Sequence, residues 1–153
     1  MISCNANMDS TGMKKSIPRI LVVEDNPGDV PLLRLALDEH KEDYRLDVLQ
    51  DGEEALRFVG EQRTALTAPE PCAIVLDWHL PKHDGATVLQ AIRQEPALAH
   101  LNVIALTTLV SPKEEMEILS LGVRLYSRKP TDLDEWITLA GLILAICRGV
   151  IVV

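Results

Sequence analysis

Five short runs of aliphatic and β-branched residues, each followed by a helix-like segment, confine this chain to very few folds. They lie at residues 19–24 (RILVVE), 45–50 (RLDVLQ), 72–77 (CAIVLD), 102–107 (NVIALT) and 123–127 (VRLYS). The first, third and fourth are apolar on both faces, the pattern of parallel strands covered by helices on both sides. Helix starts are marked between them. Asp51 with Glu54, and Ser111 with Glu114, stand at capping-box spacing ahead of apolar-periodic runs. Pro112 falls at a first helical position, and Gly122 closes that helix. Pro31 falls in the first turn of the first helix, where proline is tolerated. Five β-α units joined by right-handed crossovers give an α/β fold with a doubly wound five-stranded parallel sheet.

In such a sheet the active crevice lies beyond the carboxyl ends of the strands. The first run ends in Glu24 and Asp25, the third in Asp77 and the fourth in Thr107 and Thr108; the fifth is followed by Lys129 and Pro130. A parallel sheet gathers all of these on one edge. Three carboxylates there repel one another unless a cation neutralises them. Carboxylates with carbonyl and water oxygens suit Mg²⁺, a hard ion that favours phosphate oxygens. A hydroxyl and an ammonium opposite can hold the oxygens of a group transferred to Asp77. His79 and His83 have no fixed spacing to these acids and read as solvated loop side chains.

Charge excludes one class of partner. The net charge is −8, with no Lys- or Arg-rich run, so the surface lacks the basic footprint that nucleic acid requires. Aromatic residues make up 3% of the chain, so the core must be aliphatic. Cys4, Cys72 and Cys147 form no CxxC pair; Cys72 and Cys147 read as small core hydrophobes, a pattern of reducing compartments. The start has no apolar core of a signal peptide, and residues 139–146 are too short to span a bilayer, so a cytoplasmic protein is expected.

The motifs VVEDN at 22–26, IVLDWHLPKHDG at 74–85, ALTT at 105–108 and SRKP at 127–130 resemble those of the receiver domain of bacterial two-component response regulators. The resemblance covers roughly residues 18–147. It implies a flavodoxin-like (βα)5 receiver fold and a phosphorelay phosphoprotein served by a sensor histidine kinase. Asp77 is then the phosphoacceptor, Asp25 the direct Mg²⁺ ligand and Glu24 a ligand through water, with the carbonyl of His79 completing the protein's metal set. Thr107 hydrogen-bonds the phosphoryl group, Lys129 pairs with it and with Asp77, and Tyr126 is the aromatic switch that reports on Thr107. Pro81 and Gly85 shape the loop presenting Asp77, and a cis bond is expected before Pro130. Trp78, bulky beside the acceptor, is expected either to gate access or to pack the loop, and Pro31 to alter the surface that kinases grip. The EDNPGD run at 24–29, the loop at 64–71 and the helix beginning DLDEW are similar to those of stand-alone regulators that accompany phytochrome-type photosensor kinases.

The expected organisation is a disordered lead over 1–17, a receiver domain over 18–148 and an apolar arm over 149–153. The last helix, residues 132–148, carries apolar residues on more than one stripe, and the tail GVIVV has high β propensity. Both point to a homodimer built on the last helix and the arm. Since the sequence runs out at 153, output is expected through protein contacts, by a regulator that is not itself an enzyme. Two alternatives stay open: a dimeric binding module indifferent to phosphorylation, and an aspartyl-nucleophile phosphatase. The latter typically has a second Asp two residues after the first, where this chain has His79.

Overall fold

A computed structural model describes residues 17–61, 70–108 and 111–150. Five strands alternate with five helices: β1 (Arg19–Val23), α1 (Asp29–Asp38), β2 (Arg45–Leu49), α2 (Gly52–Glu61), β3 (Ala73–Asp77), α3 (Gly85–Gln94), β4 (Val103–Thr107), α4 (Pro112–Ser120), β5 (Leu125–Arg128) and α5 (Leu133–Cys147). The strands form one sheet in the order β2-β1-β3-β4-β5, and every pairing is parallel. The expected doubly wound sheet is present, with strand ends displaced by one or two residues from the sequence reading.

Alternation along the three central strands divides the core in two. Leu21, Val23, Ile74, Leu76, Val103 and Ala105 face one side, where they meet Ala55 and Val59 of α2, Val88, Leu89 and Ile92 of α3, and Ile118 of α4. Ile20, Val22, Ala73, Val75, Ile104 and Leu106 face the other, against Leu33, Ala36 and Leu37 of α1 and Trp136, Leu139, Ala140 and Ile143 of α5. Strands buried on both faces can use both halves of the pleat this way, which is why their sequences read as continuous apolar runs.

Helix ends follow local chemistry. The Ser111 side chain accepts from the Glu114 N–H while Glu114 reaches back to the Ser111 N–H, the expected capping box. At α2 the device shifts by one residue: Asp51 accepts from the Glu54 N–H, but Glu54 reaches back to the Gln50 N–H. Asp132 caps α5 by accepting from the Glu135 N–H. The same helix closes in a Schellman motif, with Gly149 at φ +81, its N–H bonded to the Ile146 carbonyl, and the Val150 N–H bonded to the Ala145 carbonyl. The guanidinium of Arg93 on α3 donates to the carbonyls of Leu121, Gly122, Leu101 and Ala99, tying the end of α4 to the turn before β4.

Two sequence expectations are corrected here. Cys72 and Cys147 are not separate core thiols but a disulfide. They lie 75 residues apart in sequence, yet the end of α5 crosses the start of β3, a proximity that sequence spacing does not reveal. No peptide bond among the described residues is cis, so the bond before Pro130 is trans. The second apolar face of α5 is also narrower than its sequence suggests. Ile137 packs onto the core, Leu142 and Ala145 are half-buried, and Leu133 is the large apolar residue of α5 left exposed. The lead over 1–16, the loop over 62–69 and residues 151–153 of the arm lie outside the described residues. None of the described helices is long and apolar enough to cross a membrane.

Candidate functional site

The strand ends converge as a parallel sheet requires. β1 leaves Glu24 and Asp25 beside Asp77 at the end of β3, and one oxygen from each of the three carboxylates lies within 4.8 Å of the others. Glu24 and Asp77 are buried and Asp25 is exposed. Lys129, immediately after β5, extends its ammonium into this group, 2.9 Å from Glu24, 2.8 Å from Asp29 and 3.3 Å from Asp77. One ammonium thus faces three carboxylates. Burial pushes the Glu24 carboxyl up to about 7, despite the opposing hydrogen bonds from Lys129 and the Asn26 N–H. For Lys129, burial works to lower the pKa, but its bonds to Asp29 and Glu24 and the charge of Asp77 outweigh it, holding the ammonium above the ordinary lysine range.

The turn between β1 and α1 explains how four acids come so close. Glu24 accepts from the Asn26 N–H, the Asn26 side chain accepts from the Gly28 N–H, and the Asn26 carbonyl accepts from the Asp29 N–H. This tight turn sets Asp29 as the first residue of α1, where a carboxylate interacts favourably with the helix dipole. The sequence reading did not include Asp29, because it lies on a helix rather than at a strand end. Its available signal was the Asn-Pro-Gly turn, which folds the next residue back over the sheet edge.

Beyond Asp77 the loop is held closely. The His79 N–H donates to Asp77 Oδ1, which fixes the carboxylate from the side opposite Lys129. The Gly85 N–H donates to the Trp78 carbonyl, and the Gly52 N–H donates to the Pro81 carbonyl. Trp78 is buried among the side chains beneath α2 and α3. Strand alternation turns its ring to the face opposite Asp77, so it packs the loop and does not gate the acceptor.

Thr107 is 1% exposed, and its Oγ1 has no hydrogen-bond partner among the described residues. Leaving a buried hydroxyl unpaired costs about 1–3 kcal/mol. In register, Ala105 pairs with Tyr126 and Thr107 with Arg128, so Thr107 and Tyr126 share one face of neighbouring strands. Tyr126 is half-buried; burial and the charge of Glu115 push its phenol up.

The donor set suits a hard divalent cation: all oxygen, an excess of negative charge, and an exposed Asp25 that opens the cluster to solvent. Glu24, Asp25 and Asp77 could hold such an ion, and the Thr107 hydroxyl offers a free donor to an oxyanion on Asp77. The arrangement can therefore neutralise and orient a phosphoryl-sized anion at the end of β3.

The family of these features is shown by comparison. The model of the response regulator receiver domain matches residues 20–140. The chain belongs to that family. It is 35% identical over 116 residues to the response regulator Rcp1 of Synechocystis, covering 76% of this chain and 79% of that protein. The crystal structure of the phosphorylated cyanobacterial phytochrome response regulator RcpA superposes with a TM-score of 0.77 at 28% identity, over 88% of this chain and 96% of that one. The Mn²⁺-bound form of Rcp1 gives a TM-score of 0.73 at 33% identity, over 84% and 92%. The chain is thus a response regulator receiver similar to regulators of phytochromes, with the flavodoxin-like fold of that family and an acidic cluster at its strand ends.

Proposed function

We propose that the protein accepts a phosphoryl group from a phosphohistidine of a sensor histidine kinase, of the phytochrome type, onto Asp77. A carboxylate oxygen of Asp77 attacks phosphorus; the P–O bond forms as the P–N bond breaks, and its electron pair returns to the departing imidazole. The observation that carries this reading is the buried Asp77 in contact with the Lys129 ammonium, with the unpartnered Thr107 hydroxyl at the end of the neighbouring strand β4. Glu24, Asp25, Asp77 and the His79 carbonyl would hold Mg²⁺, which would supply charge neutralisation at the transferred group. The Mn²⁺ in Rcp1 and the phosphorylated state of RcpA support the same assignment.

Lys129 and Thr107 then bond the oxygens of the bound phosphoryl group. Movement of Thr107 towards it vacates space on the face shared with Tyr126, which gives the switch a path to the surface of α4 and β5. On this reading the chain signals by changed protein contacts and is not an enzyme acting on external phosphomonoesters. It works in the cytoplasm, where reductants keep thiols open. There the Cys72–Cys147 disulfide, with Cα atoms 5.0 Å apart, is a bond that those reductants act to open. The homodimer uses α5 and the arm over 149–153, and exposed Leu133 and Val150 support that placement. Removing residues 149–153 should convert dimer to monomer by light scattering, and an unchanged dimer rejects the arm as the contact.

Thr107→Val separates the two states. The substitution keeps the shape and removes an unpaired buried hydroxyl, so the unphosphorylated protein should gain about 1 kcal/mol in urea unfolding. Phosphoryl uptake from acetyl phosphate with Mg²⁺ should fall about tenfold or more, the cost of one lost donor to a charged oxygen. Equal uptake by the two proteins would remove Thr107 from the site.

A further inference from the structure

The Lys129 ammonium has three hydrogens and three carboxylate neighbours, and its shortest distance is to the one residue outside the strand-end set. It lies 2.8 Å from Asp29 and 3.3 Å from Asp77. Asp29 is largely buried, and its backbone is fixed on the first turn of α1 by the Asn26–Gly28 turn. A phosphoryl group on Asp77 needs a hydrogen from Lys129, and it must compete for that hydrogen with a carboxylate already closer. A metal ion bound to Glu24 would release one of the three contacts, but it leaves the Asp29 contact and its neutralising charge in place.

Building on the reading of Asp77 as acceptor, we propose that Asp29 is a positioning residue that draws the Lys129 ammonium from Asp77 and so weakens the hold of the site on a phosphoryl group. Asp29→Asn is the informative change, because the amide oxygen still accepts from Lys129 while the competing charge is gone. The change leaves the three carboxylates that cluster for a metal intact, since Asp29 is not among them.

The test has two arms on the full chain. In the first, beryllofluoride with Mg²⁺ is titrated against wild type, Asp29→Asn and Asp77→Asn. Asp29→Asn should bind about fivefold tighter than wild type, the scale of one partly screened charge pair. Affinity equal to or weaker than wild type overturns the proposal. In the second arm, carried out without metal, cyanate labels amines and mass spectrometry reads each lysine. Lys129 should be carbamylated at least about twofold faster in Asp29→Asn, with Lys82, which pairs with Asp51, unchanged. Unchanged labelling of Lys129 also overturns it. If wild type binds no beryllofluoride beyond Asp77→Asn, the acceptor reading itself fails, and the labelling arm still decides whether Asp29 holds Lys129.

Discussion

Lys129→Ala lowers phosphoryl uptake on Asp77 by about 10²–10³-fold, the range seen when one preorganised charge-stabilising donor is removed. In this site the ammonium is the cation that faces Glu24, Asp29 and Asp77 together. Its loss removes the group that would meet the developing charge on the transferred oxygens. It also leaves buried Glu24 and Asp77 facing each other, and Glu24, already pushed up to about 7 by burial, then takes a proton more readily. A divalent ion can replace the missing charge but cannot reach both roles at once. Calorimetry should therefore show retained Mg²⁺ binding beside lost transfer from acetyl phosphate. Transfer at the wild-type rate would show that Lys129 serves only to neutralise the acids.

Gly52→Ala destabilises the fold by about 2–4 kcal/mol, measured as a lowered urea midpoint. A methyl group at Gly52 would collide with the carbonyl oxygen of His83 and come within 2.7 Å of the His83 Cβ. The obstacle is backbone, so no rotamer change relieves it. The same contact is what docks the loop after Asp77 onto the start of α2, through the Gly52 N–H to Pro81 and the Lys82–Asp51 ion pair. Displacing it should disturb the presentation of Asp77 as well as stability. Gly60→Ala in the same helix is the control: nothing lies within 4 Å of the added methyl, and the change should stabilise by up to about 1 kcal/mol. Equal midpoints for the two variants would contradict the packing described for the loop.

Much of this was legible in the residues because the strands carry their own signal. Runs such as AIVLD and VIALT are apolar on both faces, and only a parallel sheet covered twice makes use of that. The weaker β5, LYSR, sits at the sheet edge and is half-buried, so its start was misplaced by two residues. Glu24, Asp25, Asp77, Thr107 and Lys129 followed from the rule that strand ends meet on one edge. Asp29 escaped it by entering from a helix. The Cys72–Cys147 bond escaped because contact between α5 and the start of β3 is a property of the whole packing. The role of Trp78 depended on which side of the sheet its ring faces, and strand alternation beyond Asp77 decides that.

The central claim rests on Asp77 and is tested by its covalent chemistry. Wild type and Asp77→Asn are incubated with acetyl phosphate and Mg²⁺, and intact mass is read with and without a chelator. The account predicts one phosphoryl group on the wild type, dependent on the metal and labile as an acyl phosphate, and none on Asp77→Asn. An unlabelled wild type, or equal labelling of both proteins, would contradict it.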